Sequence, residues 1–526
     1  MPRDAGRRPN VVVLITDDTD FPNIGCYGGR VPTPSIDRVA REGVRFDGVY
    51  CSASVCTPSR YTYLTGHYAG RCPDRHFLAQ CPTDGPYSIA WNVVLNEEMP
   101  SVGSVLRDAG YRTGYAGKWH CGRPAGEFVD VTFEEDEDPA APGVDERLRR
   151  HQTALCDEVR RTGGFDYAAS VVWGNNEQFP LKALQYHNLE WITKGALEFL
   201  DGCDASKPFL LYVAATAFHG PTHHASYDRD PLSTQGGRLD APVDAHPPRS
   251  EMKPRLEAAG LPYNHQTVGM TWIDDQLSAI TKKLEAMGVL DETLLVYKSD
   301  HNTEPGKGTC YEGGIHIPWV MRYPKRIAAG TTTDAMVMNT DFAPTVFELC
   351  GASPPTEMPL DGTSLWPLIA GETSSVREDV FLEMGWARAV RTAKYKYIAL
   401  RYPRRVIDEM ESGARAEAPN HIDRRLQGQM CIAAEQYPGY FDGDELYDVE
   451  ADPREQRNLA FDPAHAEVLA DMRRRLSAYT STFAHPFDLD DVAFLRSDRF
   501  RRLADETRKI GTAHIPWWTA RRAGRE

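Results

Sequence analysis

The sequence predicts an α/β protein: a large domain on a mostly parallel central sheet flanked by helices, then a smaller C-terminal α+β domain with an antiparallel sheet. Three observations carry this. Val11 to Thr16, Phe209 to Ala215 and Thr293 to Lys298 are unbroken apolar and β-branched runs, the pattern of strands buried on both faces. Helical spacing fills the intervals between them, as in alternating strand–helix folds. After about Ser375 the texture changes to shorter strand-like segments. The two domains are therefore expected at 1–375 and 376–526.

In chain order, Val11 to Thr16 ends in Asp17-Asp18, and Ser35 to Gly43 has the spacing of a first helix. Ser101 to Gly110, Leu189 to Asp201 and Val268 to Gly288 are further helices on the same criterion. The second strand leads into Phe218-His219-Gly220-Pro221 and the third into Ser299-Asp300-His301-Asn302. Ligands of open α/β sheets sit beyond the carboxyl ends of the strands, so these polar clusters converge on one site. Further on, Asp379 to Glu383 and Ala389 to Leu400 read as antiparallel strands with Lys and Arg on one face. Glu445 to Asp448 reads as a short strand and Ala464 to Tyr479 as a helix, with Ser481 to Glu526 a tail of no clear pattern.

At 526 residues and 41% hydrophobic, the chain can bury a large core. Its formal charge of −16 argues against nucleic-acid binding, which needs a basic footprint, yet allows a local basic pocket. The eleven cysteines are scattered without zinc-type pairs and read as small core residues. No stretch approaches the roughly 20 apolar residues of a membrane span. Met1 to Asn10 is polar and Arg-rich, without an apolar leader segment. The expectation is a cytoplasmic protein, bacterial by its preference for Arg over Lys, and periplasmic or secreted if a leader has been removed. Neither a membrane nor a nucleic acid is expected as partner, and the oligomeric state is left open.

Asp17 and Asp18 are adjacent carboxylates at a strand end, and Asp300 brings a third from another strand. Such charges repel unless a cation lies between them. An oxygen-rich set selects a hard divalent cation, calcium first, with magnesium or manganese as alternatives. His301 would add a nitrogen ligand. In Gly117-Lys118-Trp119-His120-Cys121-Gly122, Lys118 and His120 point the same way if the segment is extended. A lysine there can meet charge developing on an anionic ester.

Several of these segments have a common source. Cys56-Thr57-Pro58-Ser59-Arg60 with Leu64-Thr65-Gly66 resembles the type I sulfatase signature C-x-P-S-R-x-x-x-L-T-G. Gly117 to Gly122 resembles that family's G-K-W-H-x-G, His219 to Pro221 its H-x-P loop, and Gly306 to Gly314 its G-K-G-T-x-Y-E-G-G. Ser299 to Asn302 resembles S-D-H-G but puts Asn302 where glycine is usual, which makes Asn302 a candidate for the metal shell. The resemblance runs from about Pro9 to Leu459 and thins at Arg123 to Thr162, Ser226 to Leu261 and beyond Ala460.

The resemblance implies an alkaline-phosphatase-like fold and hydrolysis of a small sulfated substrate. It implies that a formylglycine-generating enzyme oxidises Cys56 to an aldehyde whose hydrate is the nucleophile and a further metal ligand. Arg60 comes with that signature as a site residue. Lys118 and Lys307 would hold the sulfate, His219 would protonate the leaving alcohol, and His120 would act as base or hold the hydrate. His223 and His224 are candidates for substrate contact. Aryl sulfates, sulfated sugars and alkyl sulfates all fit. The alternatives are a phosphonate or phosphate ester hydrolase of the same superfamily and an inactive sulfated-glycan binder in which Cys56 stays a thiol.

Overall fold

The computed structural model describes residues 8–82, 85–303, 305–356, 360–422 and 429–511. Met1 to Arg7 and the end of the chain from 512 lie outside the described residues. The central sheet comprises β1 Asn10–Thr16, β2 Val44–Phe46, β3 Arg112–Lys118, β4 Tyr167–Val172, β5 Phe209–Ala214, β6 Thr293–Ser299, β7 Trp319–Arg322 and β8 Thr331–Thr333. Their spatial order is β8-β2-β7-β6-β1-β5-β3-β4. All neighbours run parallel except β7, which is antiparallel to both β2 and β6. The sheet is thus mostly parallel, as the apolar runs require.

Every residue of β1, β5 and β6 is buried, because both faces are covered. Val11, Val13 and Ile15 join one apolar cluster, with Leu210, Tyr212 and Leu294. Val12 and Leu14 join the opposite one, with Leu211, Val213 and Leu295. That is the period-two alternation of a strand. Each such side chain contributes roughly 1.5–3 kcal/mol on burial. The second face is covered by helices Pro34–Arg41, Leu189–Asp201 and His265–Ala286, the first by Cys56–Thr65, Val102–Asp108 and Phe342–Cys350.

Among the elements that the sequence reading did not name, two show why. Helix Pro142–Gly163 falls in a stretch where the resemblance is thin. Strand β3, RTGYAGK, has no apolar run to announce it. It is a strand because β5 and β4 flank it, and its glycines permit their approach. Gly117 has φ +102°, and a Cβ there would lie 1.9 Å from the Ala214 carbonyl oxygen.

Strands β9 Asp379–Met384, β10 Ala387–Thr392, β11 Tyr395–Leu400 and β12 Asp444–Asp448 form a separate antiparallel sheet in that order. The segment expected as one strand, Ala389 to Leu400, is a hairpin turning at 393–394. Phe381, Val390 and Tyr397, opposite one another on one face, join the same cluster as β1. Arg388 and Lys396 are buried with them. Lys396 Nζ donates to Glu455 Oε1 at 2.6 Å and pairs with Glu312 Oε1 at 2.8 Å, tying the 306–314 loop to this sheet. Helix Ala466–Thr480 packs on β10 and β11, and the tail carries helix Asp498–Arg508. No helix among the described residues is long and apolar enough to cross a membrane.

Candidate active site

The carboxyl ends of β1, β3, β5 and β6 deliver Asp17-Asp18, Lys118-Trp119-His120, His219 and Asp300-His301. The N-terminus of the buried helix Cys56–Thr65 faces them with Cys56 and Arg60, and the 306–314 loop adds Lys307. Asp18 and His120 sit at positive φ, +59° and +51°. That is uncommon for residues with a Cβ and tends to accompany functional positions.

One ligand atom each from Asp17, Asp18, Cys56 and His301 lies within 4.8 Å of the other three. The Cys56 thiol donates to Asp17 Oδ1 at 3.3 Å, and His301 Nε2 lies 3.4 Å from Cys56 Sγ and 3.2 Å from Asp18 Oδ1. Asp300 stands just outside this group. Its Oδ1 accepts from the amides of Asp18 at 3.1 Å and His301 at 2.8 Å, and lies 3.8 Å from His301 Nε2. Its Oδ2 accepts from Arg60 Nε at 3.0 Å. Asn302 turns away: its amide donates to the His316 carbonyl at 3.0 Å and accepts from the Thr303 amide at 3.1 Å.

Three cations match the three carboxylates. Lys118 Nζ donates to Asp17 Oδ2, and to Asn175 Oδ1 at 2.6 Å, and lies 3.6 Å from Cys56 Sγ. Lys307 Nζ donates to both Asp18 oxygens, at 2.7 and 2.6 Å. Arg60 adds Nη2 3.5 Å from Asp17 Oδ1. Burial alone would raise Asp17, but Lys118 and Arg60 hold it well below the usual carboxylate range. Burial against Lys307 and His301 leaves Asp18 lowered, whereas burial raises Asp300. Burial, with Asp17 beside it, pushes the Cys56 thiol well up. An unmodified Cys56 is therefore a protonated thiol and a weak nucleophile. Burial and Lys118 push His120 well down, so it is neutral, and its buried Nδ1 has no hydrogen-bond partner among the described residues.

The profile of the sulfatase family matches residues 9–352. The chain belongs to the sulfatase family. It is a sulfuric ester hydrolase. A second profile, described as N-sulphoglucosamine sulphohydrolase, C-terminal, matches residues 306–420. This sulfatase is 28% identical to human arylsulfatase A, over 86% of its own chain and 83% of that protein. It is 26% identical to the N-acetylglucosamine-6-O-sulfatase of Bacteroides thetaiotaomicron, over 87% and 83%. In fold it resembles a protein solved with its substrate D-glucosamine-2-N,6-O-disulfate, with a TM-score of 0.58 at 20% identity, covering 91% of this chain and 98% of that one. It also resembles the phosphonate monoester hydrolase of Agrobacterium radiobacter, with a TM-score of 0.53 at 18% identity, covering 90% and 96%.

Of the remaining expected residues, His219 lies half-buried with Nδ1 3.2 Å from Glu177 Oε1. His223 is turned inward, stacked on His265 at 3.9 Å and bonded through Nδ1 to the His265 carbonyl at 2.8 Å. It packs the loop and is buried away from solvent. His224 is half-buried on the same short helix, His223–Tyr227. The sequence reading missed Asn175, which holds Lys118, and Glu177, which holds His219. The available signal was position: Gly174-Asn175-Asn176-Glu177 is a polar turn just past β4, at the same edge of the sheet as the other clusters.

Proposed function

We propose that this sulfatase cleaves sulfate esters of alcohols, sulfated sugars among them, with residue 56 acting as nucleophile after conversion to formylglycine. The observation that carries this is the meeting of Cys56, Asp17, Asp18 and His301 in one cluster flanked by Lys118 and Lys307. The donor set fits a hard divalent cation, calcium before magnesium or manganese: two buried carboxylates and an imidazole converge, with Asp300 adjacent. The mismatched donor is the thiol, and a hydroxyl oxygen at position 56 would complete an oxygen-rich set. When bound, the cation supplies positive charge to the sulfate oxygens and the residue-56 donor.

The side chains divide the remaining work. Lys118 and Lys307 hold the sulfate from the Asp17 and Asp18 sides, meeting charge as it moves toward the leaving group. Arg60 fixes Asp300 and Asp17 from below. His219 gives a proton to the departing alcohol oxygen, and neutral His120 accepts one at its unpartnered Nδ1. The 376–526 region acts as a second domain whose Lys396–Glu312 pair braces the Lys307 loop. Maturation by a formylglycine-generating enzyme and a cytoplasmic location complete the reading.

The test pairs a mass spectrum of the residue-56 peptide with a screen of sulfated mono- and disaccharides, an aryl sulfate, and the phosphate and phosphonate esters of the same phenol. An aldehyde at position 56 with sulfate preferred is expected. Full activity with an intact Cys56 thiol refutes the nucleophile, and preference for the phosphonate refutes the substrate.

A further inference from the structure

Three consecutive side chains beyond β4 each hold a different part of the site. Asn175 accepts from Lys118 Nζ at 2.6 Å. Asn176 accepts at its Oδ1 from Gln235 Nε2 at 3.3 Å, which fixes its amide so that Nδ2 donates to His187 Nδ1 at 2.9 Å. Thr216 Oγ1 lies 2.8 Å from the same nitrogen. A ring nitrogen that accepts from an amide carries no proton, so the His187 proton sits on Nε2. From there it donates to the backbone carbonyls of His219 and Pro221, each at 3.0 Å. Burial pushes His187 down to about 4, which keeps this ring neutral. The backbone of the His219 loop is thereby clamped.

Glu177 acts on the side chain that the clamp presents. Its Oε1 lies 3.2 Å from His219 Nδ1, and the Gly220 carbonyl oxygen is also 3.2 Å from that nitrogen. With two acceptors facing it, Nδ1 carries a hydrogen. Nε2 is left for other work. Burial would raise Glu177, but its hydrogen bond with His219 lowers it, so the carboxylate is charged.

We propose that Glu177 is a positioning residue for the general acid: its carboxylate holds His219 in the Nδ1–H form, presents Nε2 to the leaving-group oxygen, and stabilises the imidazolium before it gives up its proton. The inference rests on the assignment of His219 as that acid. The pair is only partly buried, with side-chain exposures of 18% for His219 and 43% for Glu177. Solvent screens such a pair. Its effect is therefore set at about tenfold, well below the roughly 10⁴-fold of a buried Asp–His couple.

The experiment compares Glu177→Gln, Glu177→Ala, His219→Ala and the double Ala variant, all matured at position 56, on a sugar sulfate and on 4-nitrophenyl sulfate. For the sugar sulfate, kcat should fall about tenfold in Glu177→Ala with KM unchanged, and less in Glu177→Gln, which keeps an acceptor for Nδ1. For 4-nitrophenyl sulfate, whose phenolate leaves unaided, the loss should stay within about twofold. The double variant should lose no more than His219→Ala alone. Equal losses on both esters, a raised KM, or additive losses in the double variant would overturn the proposal. Should His219→Ala itself hit both esters equally, the general-acid assignment falls and this inference with it. Should His219→Ala discriminate and Glu177→Ala not, the inference alone falls.

Discussion

Glu383 offers a stability test that is independent of catalysis. It lies on β9, fully buried, and its two carboxylate oxygens accept from the Gly70 amide at 3.1 and 3.2 Å. Burial pushes it up to about 7, against the pull of Arg388. A raised folded-state value means that the native protein keeps a proton which the unfolded chain releases above about pH 4.3. That stability is present in full below the unfolded value and is lost as pH rises through the folded one. The whole window, about 2.7 units at 1.36 kcal/mol each, is worth about 3.7 kcal/mol. Between pH 5 and pH 8 the loss is about 2.5 kcal/mol. Glu383→Gln cannot titrate. Whatever its new amide costs shifts every pH equally, so the pH dependence of the difference isolates the carboxyl. Urea unfolding of both proteins at pH 5, 6, 7 and 8 should show the variant gaining about 2.5 kcal/mol on the wild type across that range. A flat difference would refute the reasoning and mean that Arg388 keeps Glu383 ionised.

Lys298, in the middle of the sheet, has no hydrogen-bond partner for Nζ among the described residues, and burial pushes it well down; Nζ lies 3.3 Å from the ring centre of Phe342 and 3.6 Å from that of Tyr63. Lys298→Met should stabilise by about 1–3 kcal/mol in urea unfolding, and a loss would show that the amine–aromatic contacts outweigh desolvation. Because the whole helix Cys56–Thr65 is buried, a maturation enzyme should convert a peptide of residues 51–66 but not the folded protein, as read by mass spectrometry; conversion of folded protein contradicts this. Calcium at about 100 times its dissociation constant should stabilise by about 2.7 kcal/mol. Chelation should remove that gain and Asp18→Asn should weaken it, whereas a melting temperature indifferent to calcium and chelator would refute the site.

The sequence alone determined the kind of fold and the chemical cast. Burial on both faces demands unbroken apolar runs, so β1, β5 and β6 were legible, and the polar residues ending them marked the site edge. Cys56, Lys118, His219, Asp300 and Lys307 stood out because each falls in a short motif, and the fold brings them to one edge of the sheet. Tertiary structure decided the rest. Strand β3 exists through its neighbours, since Gly117 and Lys118 carry no strand pattern of their own. In sequence Asp300 stood as a metal ligand, and Asn302 and His223 only as candidates for the metal shell and the substrate, yet hydrogen bonds from Arg60, to the His316 carbonyl and to the His265 carbonyl engage all three. Asn175 and Glu177 were invisible because a polar turn gives no local sign of what it faces. The sheet brings that turn against Lys118 and His219, and only the packing of β3, β4 and β5 side by side makes those contacts possible.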